Sequence, residues 1–312
     1  RFRTNVNGAN VDIRVSVVPT YYGENAIMRL LPEAADDHSL ETLGFTPSNR
    51  DKILSAIKKS HGMILVTGPT GSGKTTTLYT LLKMLNSPEV SILTIEDPVE
   101  YSVVGINQIP VNARTGLTFA TGLRSMLRQD PNIIMVGEIR DIETAAIAVN
   151  TALTGHLLLS TLHTNDAATT LPRLLDMKVE PYLIASTVNV AVAQRLVRRV
   201  CPACKETRLM TEAEKSALAE LLPASVLEGE HTVSKGNGCL QCGGLGYSGR
   251  IGIHEVMVVD GPIRDAVLKK VSASEIRMLA LERGMVSMLH DGFLKACQGE
   301  TTIEDVLRVV HE

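Results

Sequence analysis

The chain has 312 residues, 44 % of them apolar and 21 % charged, with Lys+Arg 31 against Asp+Glu 34 and a net charge of -3. That balance fits an ordinary globular protein of one large or two modest domains and gives no global case for nucleic-acid binding. Its longest apolar runs, such as Ile133 to Val136 and Leu157 to Leu159, fall far short of the ~20 residues that cross a bilayer.

Residues 11 to 17 alternate, with Val11, Ile13, Val15 and Val17 on one side and Asp12, Arg14 and Ser16 on the other, which predicts a half-buried strand. Turn residues at Pro19 to Glu24 and a second strand over Asn25 to Leu31 make a hairpin. Two strands are too few for a stable unit, so residues 1–33 read as the last strands of a truncated N-terminal domain. The stretch 34–48 holds Pro47, Gly44 and several acids without periodicity and reads as a linker.

From 49 to 199 the pattern becomes strands alternating with helices. Met63 to Thr67, Ser91 to Ile95, Ile133 to Val136 and Leu157 to Ser160 are short apolar runs suited to strands buried on both faces. Helical stretches over Thr75 to Leu85, Phe119 to Gln129 and Ile142 to Leu153 lie between them. An α/β core with a parallel-rich sheet is expected. Residues 200–250 are rich in Cys and Gly around a helix at Thr211 to Leu222. The remainder, 251–312, reads as helical from 255, with capping-box spacing at Ser272/Glu275 and Thr301/Glu304.

Gly68-Pro69-Thr70-Gly71-Ser72-Gly73-Lys74-Thr75 fits G-x-x-x-x-G-K-[ST] between an apolar run and a helix, the context that motif requires. Its glycines let consecutive N–H groups face phosphate oxygens, reinforced by the helix N-terminus. Lys74 is then placed for the β- and γ-phosphates of ATP and the Thr75 hydroxyl for Mg²⁺, with Thr76 next in the helix. Ligands of parallel α/β sheets sit beyond the carboxyl ends of the strands. There the sequence puts Glu96, Asp97 and Glu100 after one strand, Glu138 and Arg140 after another, and His163 after a third. Glu138 stands where the metal or its waters need an oxygen ligand, preceded by Gly137 rather than an acid. It competes with Glu96, Asp97 and Glu100 as the group polarising the attacking water. His163 is a candidate γ-phosphate sensor and His156, ahead of its strand, a weaker one. Arg14, Arg29, Arg124, Arg128 and Arg140 are candidates to neutralise charge on a transferred phosphoryl group, against the plainer reading of surface salt bridges.

Cys201-Pro-Ala-Cys204 and Cys239-Leu-Gln-Cys242 are two C-x-x-C pairs 34 residues apart, a pattern that suits a closed, structural tetrahedral Zn²⁺ site in a reducing compartment. Cys297 stands apart on a helical stretch and reads as core packing.

The ordered set GPTGSGKTT (68–76), TIEDPVE (94–100), LRQDPNIIMVGEIRD (127–141), TGHLLLSTLHTND (154–166) and AQRLVRRVCPAC (193–204) resembles the GspE/PilB-type secretion ATPases, which drive type II secretion and type IV pilus assembly. The likeness runs from the hairpin (12–31) to GETTIEDVLRVV (299–310). It implies a RecA-like P-loop ATPase core, preceded by the remnant of a small α+β, PAS-like domain and followed by a tetracysteine zinc module and a helical tail. It also implies a homo-hexameric ring with ATP and Mg²⁺ at subunit junctions. Arg14 and Arg29 look like the arginines that the preceding domain lends to the nucleotide, and Arg124, Arg128 and Arg140 match core positions near phosphates. The zinc module is similar to that of assembly and export motors rather than retraction motors. The resemblance further implies a cytoplasmic protein bound to the inner membrane through platform components of a pilus or secretion machine, with no nucleic acid as partner. Two other classes stay open on the residues alone: a DNA-translocating or helicase-like ATPase, and a nucleotide-gated scaffold without hydrolysis.

Overall fold

The computed structural model describes residues 2–6, 9–32 and 38–311. In chain order it contains β1 (Phe2–Val6), β2 (Ala9–Thr20), β3 (Gly23–Pro32), α1 (Pro47–Ile57), β4 (Gly62–Thr67), α2 (Lys74–Leu85), β5 (Ile92–Glu96), β6 (Asn107–Pro110), α3 (Phe119–Met126), β7 (Ile133–Val136), α4 (Ile142–Leu153) and β8 (Leu157–Leu162). There follow α5 (Thr170–Asp176), α6 (Pro181–Thr187), β9 (Val188–Val200), β10 (Lys205–Leu209), α7 (Glu212–Leu218), α8 (Ala224–Leu227), β11 (Thr232–Gly236), β12 (Tyr247–Val258), α9 (Gly261–Leu268), α10 (Ala273–Glu282), α11 (Met288–Cys297) and α12 (Ile303–His311).

The main sheet has the order β12-β9-β4-β8-β7-β5-β6. Its strands from β9 to β6 run parallel and β12 pairs antiparallel with β9. Parallel strands need covered faces, and the residues of β4 divide accordingly. Met63 and Leu65 enter the core cluster on one face with Ile134, Ala145, Leu158 and Ile184. Ile64 and Val66 join the cluster on the other, with Ile53, Leu78, Leu82 and Leu159. Because β4, β5, β7 and β8 all point the same way, Thr67, Glu96, Val136 and Leu162 come out on one edge.

The N-terminal hairpin is longer than its alternation predicts and carries a third strand, in the order β1-β2-β3. Three further expectations are corrected. Residues 255–258 are strand, not helix: β12 spans the 250/251 position where the zinc module was expected to end, and it completes the main sheet. The expected Thr301/Glu304 capping box gives way to a one-sided cap one residue on: Thr302 Oγ1 accepts from Asp305 N, while the Thr301 hydroxyl donates to Arg198 O at 2.8 Å. The Ser272/Glu275 box forms as spaced. The predicted helix over 211–222 is shorter, with Thr211 capping α7 and only turns after Leu218.

Candidate nucleotide site and cysteine cluster

The loop between β4 and α2 turns on three glycines with positive φ: Gly68 at 141°, Gly71 at 80° and Gly73 at 89°. L residues with a Cβ rarely adopt those values. At Gly68 the space is closed as well, since a Cβ there would meet the backbone carbonyl of Gln194. Gly73 is the residue before α2 and has no side-chain cap, which leaves the first amides of the helix for another partner. Lys74 Nζ reaches back over the loop and donates to the carbonyls of Gly68 (2.8 Å) and Pro69 (2.9 Å). Burial lowers the Lys74 pKa, and the nearby Glu138 charge opposes that shift.

A cavity of about 700 Å³ opens on this loop. Thr70, Gly71, Gly73, Lys74, Thr75 and Thr76 form one wall; Glu96, Asp97, Glu100, Glu138, Arg140 and His163 face them from the ends of β5, β7 and β8. Lys74 and the acids of 96–100 and 138 therefore share one space. Gly68, Pro69 and Ser72 belong to the loop but do not line the cavity.

Each acid is set differently. Glu96 ends β5, is 3 % exposed, and accepts from Tyr79 Oη, Thr94 Oγ1 (2.6 Å) and Gln108 Nε2 (3.2 Å). Burial raises its pKa despite those three donors. Glu138 follows Gly137, whose missing side chain lets β7 approach β5: a Cβ there would lie 3.2 Å from Ile95 O. Glu138 Oε2 accepts from Arg140 Nε (2.5 Å) and lies 3.3 Å from His163 Nε2. The chain before and after His163 is pinned to β4, because Thr67 Oγ1 donates to Leu162 O (3.0 Å) and accepts from Thr164 N (2.9 Å). His156 is elsewhere, with Nδ1 against Thr151 O at 3.2 Å.

The arginines do not all converge. Arg140 lines the cavity, whereas Arg124 pairs with Glu143 of α4 (2.8 Å) and Arg128 donates to Arg124 O and Ser125 Oγ, away from the lining. Arg14 and Arg29 stand opposite one another in the β2–β3 register; their side chains lie outside the described residues. Among the lining residues that sequence reasoning missed are Leu196 of β9 and the exposed Arg250 of β12. Leu196 lies in the AQRLVRRVCPAC run but carries no chemistry that would mark it, and only the pairing of β12 with β9 brings Arg250 to this edge.

The four cysteines come together as spaced. Their sulfurs all lie within 4.8 Å of one another. The Cys201–Cys239 and Cys204–Cys242 separations are 3.9 Å and Cys239–Cys242 is 3.7 Å. Tetrahedral Zn²⁺ with Zn–S bonds of about 2.3 Å needs sulfurs about 3.8 Å apart, so the set fits that ion. The N–H groups of Cys239 and Gly246 each donate to Cys242 Sγ at 3.2 Å and hold that thiol below its ordinary value, Cys239 most strongly. Cys297 packs against a separate small core of Met210, Leu218, Val233 and Phe293, where burial pushes its thiol up to about 11.

A family model described as type II/IV secretion system protein matches residues 1–308. The chain is 49 % identical over 308 residues to the type IV pilus assembly ATPase PilB of Thermus thermophilus, covering 98 % of this chain and 34 % of that protein. It is 47 % identical over 313 residues to type II secretion system protein E of Aeromonas hydrophila, covering 100 % of this chain and 61 % of that one. Among solved structures, the pilus retraction motor PilT with bound ADP superposes with a TM-score of 0.71 at 28 % identity, over 98 % of this chain and 76 % of that chain. The chain thus spans between a third and two thirds of the length of these two curated relatives.

Proposed function

The chain belongs to the type II/IV secretion system protein family, and from that premise we propose that it is an ATP-hydrolysing motor unit of a type IV pilus assembly or type II secretion machine. One observation carries the reading: Lys74, the acids at the ends of β5 and β7, and His163 line a single cavity at the carboxyl edge of the sheet. In this reading the amides of residues 70 to 76 receive the phosphates, together with Lys74 in place of its present bonds to Gly68 and Pro69. Glu138 and the Thr75 hydroxyl hold Mg²⁺, whose charge neutralises the β- and γ-phosphate oxygens. Glu96, Glu100 and Glu138 are the carboxylates available to polarise the attacking water, and Glu138 is the one whose charge acts on Lys74. His163 reads the γ-phosphate through the hydrogen bond it shares with Glu138.

Four thiolates at tetrahedral spacing support Zn²⁺ as the structural ion of residues 200–250, and zinc there supplies folding energy rather than chemistry. In this reading the chain works as a ring-shaped homo-hexamer, Arg14 and Arg29 are lent to the nucleotide by the domain preceding the core, and Arg124 and Arg128 approach phosphates in or between subunits. No helix among the described residues is long and apolar enough to cross a membrane. We place the motor at the cytoplasmic face of the inner membrane, held there by its machine's components.

Phosphate release by the wild-type chain with Mg-ATP tests this. Turnover that disappears in Lys74→Ala and is indifferent to single-stranded DNA is the expected result; no turnover, under oligomer-forming conditions as well, would sink it.

A further inference from the structure

Gln194 sits in the middle of β9 and is 2 % exposed. Both ends of its amide are used, and both partners belong to the nucleotide loop or the helix that follows it. Nε2 donates to Ser72 O at 2.7 Å, and Oε1 accepts from Thr77 Oγ1 at 2.8 Å. The backbone carbonyl of the same residue closes the space beneath Gly68, and its Nε2 lies 3.1 Å from where a Cβ on Gly73 would be. Two residues further along the same face, Leu196 lines the cavity and lies 3.6 Å from that Cβ position. One side of β9 is therefore the floor on which residues 68 to 77 rest. On its opposite face Arg195 donates to Val309 O of α12 at 2.6 Å, so the floor is itself held from behind.

The bond to Ser72 has a directional consequence. In a trans peptide the C=O and the following N–H point in opposite directions. Holding the Ser72 carbonyl down toward Gln194 turns the Gly73 N–H up toward the cavity. Gly73, at φ 89°, has little intrinsic preference that would otherwise fix this peptide plane. Electrostatic sites of this kind work because their donors are oriented before the ligand arrives.

We propose that Gln194 is a positioning residue of the nucleotide site: it acts through the Ser72–Gly73 peptide, orienting the loop amide that receives a phosphate oxygen, and touches no ligand itself. The proposal deepens the nucleotide-binding reading and rests on it. It also fixes the chemistry required at this position, a neutral side chain of glutamine length that donates at one end and accepts at the other.

The test uses the full chain with its zinc in place. Gln194→Glu keeps the shape and the acceptor for Thr77 but sets a carboxylate oxygen against the Ser72 carbonyl. Calorimetric titration with Mg-ADP is expected to show affinity at least about tenfold below wild type, the scale of one misdirected hydrogen bond, with zinc content close to wild type and a lowered urea midpoint, since the carboxylate is buried. Amide hydrogen exchange at residues 70–75, measured without nucleotide, is expected to speed up in the same variant. Thr77→Val, which frees the other end of the amide, is expected to weaken Mg-ADP about threefold and serves if Gln194→Glu does not fold. A folded Gln194→Glu, or failing that Thr77→Val, with wild-type Mg-ADP affinity and wild-type loop exchange overturns the proposal. If the wild-type chain itself binds no Mg-ADP, the nucleotide reading fails instead, and loop exchange alone decides whether Gln194 orders this peptide.

Discussion

Glu138 Oε2 is shared between two neighbours of different character, the Arg140 guanidinium and His163 Nε2, which lies 3.3 Å away. The carboxylate is thereby fixed toward the loop from two sides while Lys74 waits across the cavity. Replacing it with an amide of equal size isolates what its charge contributes. Glu138→Gln is expected to keep Mg-ATP bound and to lower turnover by about 10²- to 10⁴-fold, the usual worth of a positioned acid–base group. Single-turnover hydrolysis beside an equilibrium binding assay separates the two effects; equal losses in both would give Glu138 a binding role only.

Lys74 is expected to fail in the opposite way. It is the one cation of the loop, and its two present acceptors are backbone carbonyls that solvent or a phosphate can replace. Lys74→Ala should cost about a hundredfold in Mg-ATP affinity, the scale of two charge-assisted hydrogen bonds. Fold and zinc content should stay intact, as circular dichroism and metal analysis can check.

The cysteine cluster lies away from the cavity, so its loss should separate stability from binding. Cys242 is the sulfur with the most backbone donors among the four. Cys242→Ser is expected to lower bound zinc and to speed hydrogen exchange across β10 and β11. It should reduce the unfolding midpoint by about 3 °C, corresponding to about 2 kcal/mol in a chain of this size. Mg-nucleotide binding by a folded sample should persist. Unchanged exchange in β10–β11 would show that the metal does not organise that hairpin.

Asp305 supplies a pH signature. Its side chain is fully buried and accepts from Arg198 N (2.7 Å), Arg198 Nε (2.8 Å) and Arg308 Nη2 (2.9 Å). Burial pushes its pKa up, but the bonds from Arg198 and Arg308 together outweigh burial, and the net shift is below 3.8. The unfolded chain then takes up this proton first as pH falls. The stabilisation is complete above 3.8 and is lost as pH drops through that value toward the folded pKa. Asp305→Asn should cost about 1–3 kcal/mol at neutral pH and flatten the acid limb of a urea-midpoint-against-pH curve. An acid limb of unaltered slope would remove Asp305 from this role.

What could be read from the sequence was what local chemistry dictates. The loop 68–75, the apolar runs of β4 and β7, and the paired cysteines each carry their signal within a few residues. β12 did not, for a physical reason: His254 and Glu255 interrupt its apolar run, and what makes them acceptable inside a strand comes from far along the chain. Glu255 accepts from Met288 N (3.0 Å), Arg277 Nη1 (3.2 Å) and Ala167 N (3.3 Å), while the His254 ring stacks on Phe45 with centroids 3.7 Å apart. Gln194 was hidden in the same way, since a polar residue in an apolar strand reveals its purpose only when the loop above it is in place. Arg124 was as plausible a phosphate ligand as any helix-face arginine in sequence; its pairing with Glu143 on the facing helix shows only in the fold.

The partnership of β9 with β12 has a consequence for how the protein is made. β9 leaves the ribosome with its outer edge bare, and residues 201–246 must follow before its neighbour appears. Until then a long row of unsatisfied backbone groups is open to the wrong strand. A fragment cut at residue 199 would keep that edge permanently, so a fragment meant to stay in solution should extend past Val258.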